Sequence, residues 1–152
     1  VKKILRSTRC KTSMFEFEIT ETTFMKSIEQ SALNLQMLNK TGIKISIDDF
    51  GTGYSSLGYL KRLPVNELKV DQSFVFGMMD DANDRTIVQS TIDLAHNLGL
   101  DVVAEGVETA EMYQVLGELG CEEAQGYFIG KPMPIEAFLT WREQWQEEHI
   151  EA

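Results

Sequence analysis

Five short extended runs in this chain alternate apolar and polar side chains, and helical patterns separate them. One parity holds Phe15, Phe17 and Ile19; Ile43, Ile45 and Ile47; Leu68 and Val70; Val102 and Ala104. The other holds Glu16, Glu18 and Thr20; Lys44, Ser46 and Asp48; Glu67, Lys69 and Asp71; Asp101, Val103 and Glu105; Glu123 and Gln125. Successive strand residues point to opposite faces, so each run has one face to be covered and one directed at something polar. Between the runs, Met25, Ile28, Ala32, Leu35 and Leu38 recur at helical spacing before Gly42. Ile87, Thr91, Leu94, Ala95 and Leu98 do so before Gly99, and Met112, Val115, Leu116 and Leu119 before Gly120. Strands are predicted at 14–20, 43–49, 67–71, 100–105 and 121–125, and Pro134 opens a last helix carrying Phe138, Leu139 and Trp145. Such alternation across short turns predicts parallel βα units. A doubly wound sheet needs two apolar faces, because helices cover both. A (β/α) barrel needs only its outer face apolar. The pattern therefore predicts an α/β barrel arrangement whose lumen is unusually charged, with pairs such as Lys44 and a neighbouring glutamate offsetting the charge.

Barrel chemistry sits at the C-terminal strand ends. Here those ends carry Glu18, Asp48 with Asp49, Lys69, Glu105 and Gln125. Each alone is ordinary cap or turn chemistry, and Asp-Asp before a glycine turn is no exception. Together they would gather four acidic positions, an amine and an amide at one mouth. Converging carboxylates are what hard divalent ions such as Mg²⁺ or Mn²⁺ require. Two such ions about 3.5–4 Å apart serve in-line phosphoester displacement. Lys69 at that rim could orient a water, accept its proton or steady a phosphate. Its acidic neighbours favour a charged ammonium, and so a positioning role.

With 152 residues, 43% of them hydrophobic, the chain can bury one core. A formal net charge of −10 argues against a nucleic-acid polymer as partner, which would need clustered Lys and Arg. It leaves room for a small anionic ligand, because bound metal ions invert the local field. No apolar run approaches membrane-spanning length and no secretory leader is visible, so a cytoplasmic location is expected, alone or within a larger membrane protein. Cys10 and Cys121 lack metal-site spacing and read as unpaired thiols. His96 reads as a surface or packing residue, and Trp141 and Trp145 share a helix face suited to a core or subunit contact.

Several strings closely resemble the EAL domain family. They are Glu18-Ile19-Thr20-Glu21, Asp48-Asp49-Phe50-Gly51-Thr52-Gly53-Tyr54-Ser55-Ser56, Leu68-Lys69-Val70-Asp71-Gln72-Ser73-Phe74-Val75, Val103-Ala104-Glu105-Gly106-Val107-Glu108-Thr109 and Ala124-Gln125-Gly126-Tyr127-Phe128, followed by Lys131-Pro132. The resemblance runs over nearly the whole chain, and the second string is highly specific. It implies a modified TIM barrel that hydrolyses cyclic di-GMP to linear pGpG with two Mg²⁺ or Mn²⁺ ions. By the same resemblance Glu18, Asp48, Asp49 and Glu105 are metal ligands, and Lys69 is the catalytic lysine, as general base or water-positioning group. Gln125 helps hold a water of the metal site, Glu21 anchors the 48–56 loop, which in the family couples the site to dimerisation, and Glu108 supports the site or touches substrate.

One departure qualifies the resemblance. The family's Glu-x-Leu strand supplies a metal-binding glutamate and a second early strand an asparagine, yet residues 1–15 contain neither amino acid. The expectation is a partial barrel of about five βα units, residues 1–152 forming one incomplete domain without its N-terminal strands. A complete barrel takes about 250 residues. Lacking two ligands, the chain alone is expected to be inactive, although its parent domain would be a phosphodiesterase. Free sheet edges predict a homodimer, possible strand exchange included. Upstream sensor or diguanylate cyclase modules are further expected partners. The competing reading is a non-catalytic cyclic di-GMP receptor or interaction module. Another metal-dependent barrel enzyme would explain the carboxylates but not the ordered strings.

Overall fold

A computed structural model describes residues 10–21, 28–53 and 57–149. Strands β1 (Glu16–Thr20), β2 (Lys44–Phe50), β3 (Glu67–Val70), β4 (Asp101–Glu105) and β5 (Glu123–Gln125) form one sheet. Every pairing is parallel and the spatial order is the sequence order. Helices α1 (Ile28–Asn39), α2 (Leu57–Leu60), α3 (Gln72–Gly77), α4 (Ala82–Leu98), α5 (Ala110–Glu118) and α6 (Ile135–His149) complete the described elements, with a 3₁₀ turn at Thr12–Met14. Sequential parallel order is that of a barrel wall; a doubly wound sheet reverses order at a switch point. The structure is thus a partial α/β barrel, as the parity pattern predicts.

Register carries the parity across the sheet. Glu18 lies beside Ser46, Ser46 beside Glu67 and Glu67 beside Asp101, while Lys69 lies beside Val103 and Val103 beside Glu123. In-register neighbours on parallel strands share a face, so the polar residues line a common lumen. The opposite rows, Ile19-Ile47-Leu68-Val102 and Val70-Ala104-Ala124, face the helices. Ile45, Leu68, Val70, Val102 and Ala104 are fully buried there, packed with Val75, Val88, Ile92, Ala95 and Leu116 in one core cluster. Each such aliphatic side chain contributes roughly 1.5–3 kcal/mol on burial.

The longest helix shows how local signals seat that core. Asp81 caps α4 by accepting from the Asn83 N–H, and the apolar stripe Val88, Ile92, Ala95 follows at helical spacing. Gly99, at φ 72°, ends it in the left-handed conformation. Within α1, Leu35 is buried and Ala32 and Leu38 are half-buried, as the spacing requires; Met25 lies outside the described residues. No disulfide joins Cys10 and Cys121.

Some boundaries differ from the sequence reading. Met14 belongs to the 3₁₀ turn, so β1 starts at Glu16. Cys121 and Glu122 precede β5 because both make turn contacts: the thiol donates to the Val102 and Glu123 carbonyls, and Glu122 Oε2 accepts from the Val102 N–H. The Cys121 thiol pKa is pushed up to about 11 by burial, so the group is inert. Glu122 Oε1 also lies 2.8 Å from His96 Nε2, which makes His96 a half-exposed surface partner. Asp71 caps α3 by accepting from the Ser73 N–H instead of extending β3. Trp141 and Trp145 stack at 5.9 Å between ring centres, with Phe138 and Phe128 against them. Among the described residues no helix is long and apolar enough to cross a membrane.

Candidate functional site

The strand ends converge on one ammonium group. Lys69, its side chain 5% exposed, points from β3 into the lumen. Its Nζ lies 2.8 Å from Glu18 Oε1, 3.0 Å from Asp48 Oδ1 and 2.7 Å from Glu105 Oε1. Burial alone would lower its pKa, but the carboxylates of Glu105, Glu18 and Asp48 outweigh that effect and hold it well above the usual lysine range. Surrounded by these carboxylates, the ammonium form is favoured over the free base.

Asp48 and Asp49 are consecutive, and a regular strand would aim them at opposite faces. A bulge prevents this. Ile47 pairs with Leu68 and Phe50 with Val70, so three steps along β2 match two along β3. Asp49 absorbs the extra residue at φ 55°, the one positive-φ non-glycine residue described. Asparagine and aspartate are among the few side chains that accept this conformation readily. Both carboxylates thereby reach the mouth: ligand oxygens of Asp48, Asp49 and Glu105 lie within 4.8 Å of one another. Burial, then the charges of Asp48 and Asp71 and a hydrogen bond with Asp71, raise the Asp49 carboxyl above its ordinary pKa, against the opposing charge of Lys69.

Asp48 Oδ1 is buried and receives no well-directed N–H or O–H, although Lys69 Nζ is close by. A buried oxygen held only by an ammonium within a cluster of carboxylates also fits a hard divalent cation, which accepts oxygen ligands without directional donors. Asp48, Asp49 and Glu105 could hold one. Glu18 meets Lys69 but does not belong to that three-carboxylate group, and its side chain is 53% exposed.

The remaining predicted residues divide. Glu21, one residue past β1 and 2% exposed, accepts from the Gly51 N–H at 3.3 Å. A Cβ on Gly53 would stand 2.6 Å from Glu21 Oε1, so the loop approaches this closely only because residue 53 is glycine. Residues 54–56 of that loop lie outside the described residues. Gln125, exposed at the end of β5, sits beside Glu105 in register. With Glu18, Lys69, Tyr127 and Trp141 it lines an open cavity of about 630 Å³. Glu108 is exposed beyond the Gly106 turn and makes no ion pair among the described residues, so the structure does not bring it into the cluster. Asp71 joins the site through Asp49; the sequence places it on the polar parity of β3, but its helix-cap position gives no sign of that contact.

The EAL domain family model matches residues 1–132. This chain belongs to the EAL domain family. It is 48% identical over 123 residues to the bifunctional diguanylate cyclase/cyclic di-GMP phosphodiesterase MucR of Pseudomonas aeruginosa, covering 81% of this chain and 18% of MucR. The EAL chain thus spans under a fifth of the length of that curated relative. A solved PaMucR phosphodiesterase in complex with c-di-GMP superimposes with a TM-score of 0.88 at 44% identity, over 91% of this chain and 56% of that one. Klebsiella pneumoniae BlrP1, solved as a manganese/cy-diGMP complex, gives a TM-score of 0.77 at 34% identity, over 84% of this chain and 33% of that one. The five-stranded parallel sheet is therefore an EAL arrangement.

Proposed function

We propose that this EAL chain carries the metal-binding core of a cyclic di-GMP phosphodiesterase, which hydrolyses cyclic di-GMP to linear pGpG. The observation that carries the reading is the convergence of Glu18, Asp48, Asp49 and Glu105 about Lys69 at one barrel mouth. In this reading those four carboxylates hold two divalent ions, Mg²⁺ or Mn²⁺. When bound, such ions polarise a phosphate and acidify an attacking water. Relatives solved with manganese or calcium and the nucleotide support the metal class.

Lys69 acts as a fixed ammonium. Its cationic state favours steadying a phosphate oxygen or aligning a water over accepting a proton. Gln125 presents an amide beside Glu105, suited to holding a water there. Glu21 keeps the Gly51 turn against the site. Glu108 lies outside the carboxylate cluster, so in this reading it supports the site or touches substrate and does not bind metal.

The glutamate of the Glu-x-Leu strand and the asparagine of a second strand would complete the ion pair of sites, and residues 1–15 hold neither. The chain alone is therefore expected to hydrolyse little or nothing. The test supplies Mn²⁺ and cyclic di-GMP and follows pGpG by chromatography, for this chain and for a longer polypeptide that includes both strands. Turnover is expected only from the longer one, with at least a hundredfold loss on Asp48→Asn. Full activity in that variant would remove the reading.

A further inference from the structure

We propose that Asp71 is a positioning residue for the metal site, holding the Asp49 carboxylate in place and facing the cation that Asp49 binds. This rests on the metal reading above and extends it to a residue outside the convergent cluster.

Three observations lead there. First, Asp71 is itself fixed. Its Oδ1 accepts from the Ser73 N–H at 2.9 Å and from the Ser73 hydroxyl, so both contacts fall on a single oxygen. Second, the β2 bulge ends at Phe50 opposite Val70, which brings Asp49 alongside the β3–α3 junction. The Asp49 and Asp71 carboxyl groups lie within hydrogen-bonding reach of each other. Third, α3 is pressed against the turn that follows the bulge: a Cβ on Gly51 would stand 3.1 Å from the Phe74 ring. The junction bearing Asp71 and the turn bearing Asp49 are thus locked face to face.

Two carboxylates at such range repel unless a proton or a cation lies between them. Asp71, fixed by its two contacts to Ser73, is a rigid neighbour against which the Asp49 carboxylate is set. Outer groups that orient ligating carboxylates typically govern metal affinity by 10–100-fold. A helix cap alone has no such consequence.

The experiment separates those two roles. Asp71→Asn preserves shape and capping, since asparagine caps as well as aspartate. Asp81→Asn makes the same change at the cap of α4, where Asp81 accepts from the Asn83 N–H. Mn²⁺ binding is read from the free-ion electron paramagnetic resonance signal, alongside thermal midpoints. The wild-type chain and Asp81→Asn are expected to bind Mn²⁺ alike. Asp71→Asn is expected to bind about tenfold more weakly, with a metal-free midpoint no lower than that of the wild type because carboxylate repulsion is relieved. Equal affinity in Asp71→Asn and wild type would leave Asp71 as a cap and overturn this proposal alone. Absence of Mn²⁺ binding by the wild-type chain would instead overturn the metal reading, and this proposal with it.

Discussion

Lys69 stands where a divalent ion also belongs, because its Nζ is within 3.0 Å of three carboxylates. Without metal, the ammonium is what permits Glu18, Asp48 and Glu105 to stay together. Lys69→Met should therefore expose their mutual repulsion. Removing one partner of a buried pair costs about 3–5 kcal/mol, and water around half-exposed Glu18 reduces that to about 2 kcal/mol here. For a chain of this size the thermal midpoint should fall by about 6 °C. Saturating Mn²⁺ should restore most of it, since a ligand at about 100 times its Kd contributes about 2.7 kcal/mol. Differential scanning fluorimetry decides: a variant that melts like wild type without metal, or gains nothing from Mn²⁺, contradicts the arrangement. The residues in this contest were largely legible, because apolar parity places Glu18, Lys69 and Glu105 on the lumen side. Asp49 was legible at its strand end and through the family resemblance, but not how it reaches the mouth: parity sends it outward, and the bulge, which depends on pairing with β3, turns it in. Asp71 was legible on the polar parity, but not its meeting with Asp49, which depends on that same pairing.

Below the mouth, the strands carry a second row that sets a pH response. Glu67 on β3 is 3% exposed and shares a hydrogen bond with Glu16 of β1. Burial, then Glu16 and Glu123, raise its pKa to about 7, with Lys44 opposing. Between its ordinary value of 4.5 and about 7, the folded chain binds a proton that the unfolded chain has released. Stability should therefore be fully present below that window and decline as pH rises through it, by on the order of 2 kcal/mol. Thermal midpoints at pH 5 and pH 8 should differ by roughly 6 °C, wild type being lower at pH 8. Glu67→Gln, which keeps a donor for Glu16, should flatten the difference; an equal decline in that variant would place the response elsewhere. The same row relieves the charge of the lumen, since Lys44 lies beside Glu16 and the Glu67 carboxyl keeps its proton up to about pH 7. At the scale of elements, strands and the long helices were readable from period and glycine stops. The helices α2 and α3, of 4 and 6 residues, were not, because less than two turns cannot show a 3.6-residue period.

Across the whole chain, two opposed features govern what it does in solution. Among the described residues β1 and β5 are each paired on one side only, which leaves rows of backbone donors and acceptors available to another strand. Apolar side chains lie near those edges: Met14 is 74% exposed before β1, and Ile135 63% exposed beside the lumen cavity. Both features favour association of the chain with itself. The net charge of −10 opposes it, because two copies repel over the Debye length, about 10 Å at 0.1 M salt and 3 Å at 1 M. Edge pairing and charge repulsion predict different salt responses. If strand edges drive association, screening should strengthen it; if opposite charges drove it, screening should weaken it. Sedimentation velocity from about 1 to 100 μM is expected to show a dimer that grows with concentration and grows further between 0.05 and 0.5 M KCl. A chain that stays monomeric at 100 μM in 0.5 M KCl would show that its open edges are protected. A dimer that dissolves in salt would assign the contact to charged surfaces instead of strands.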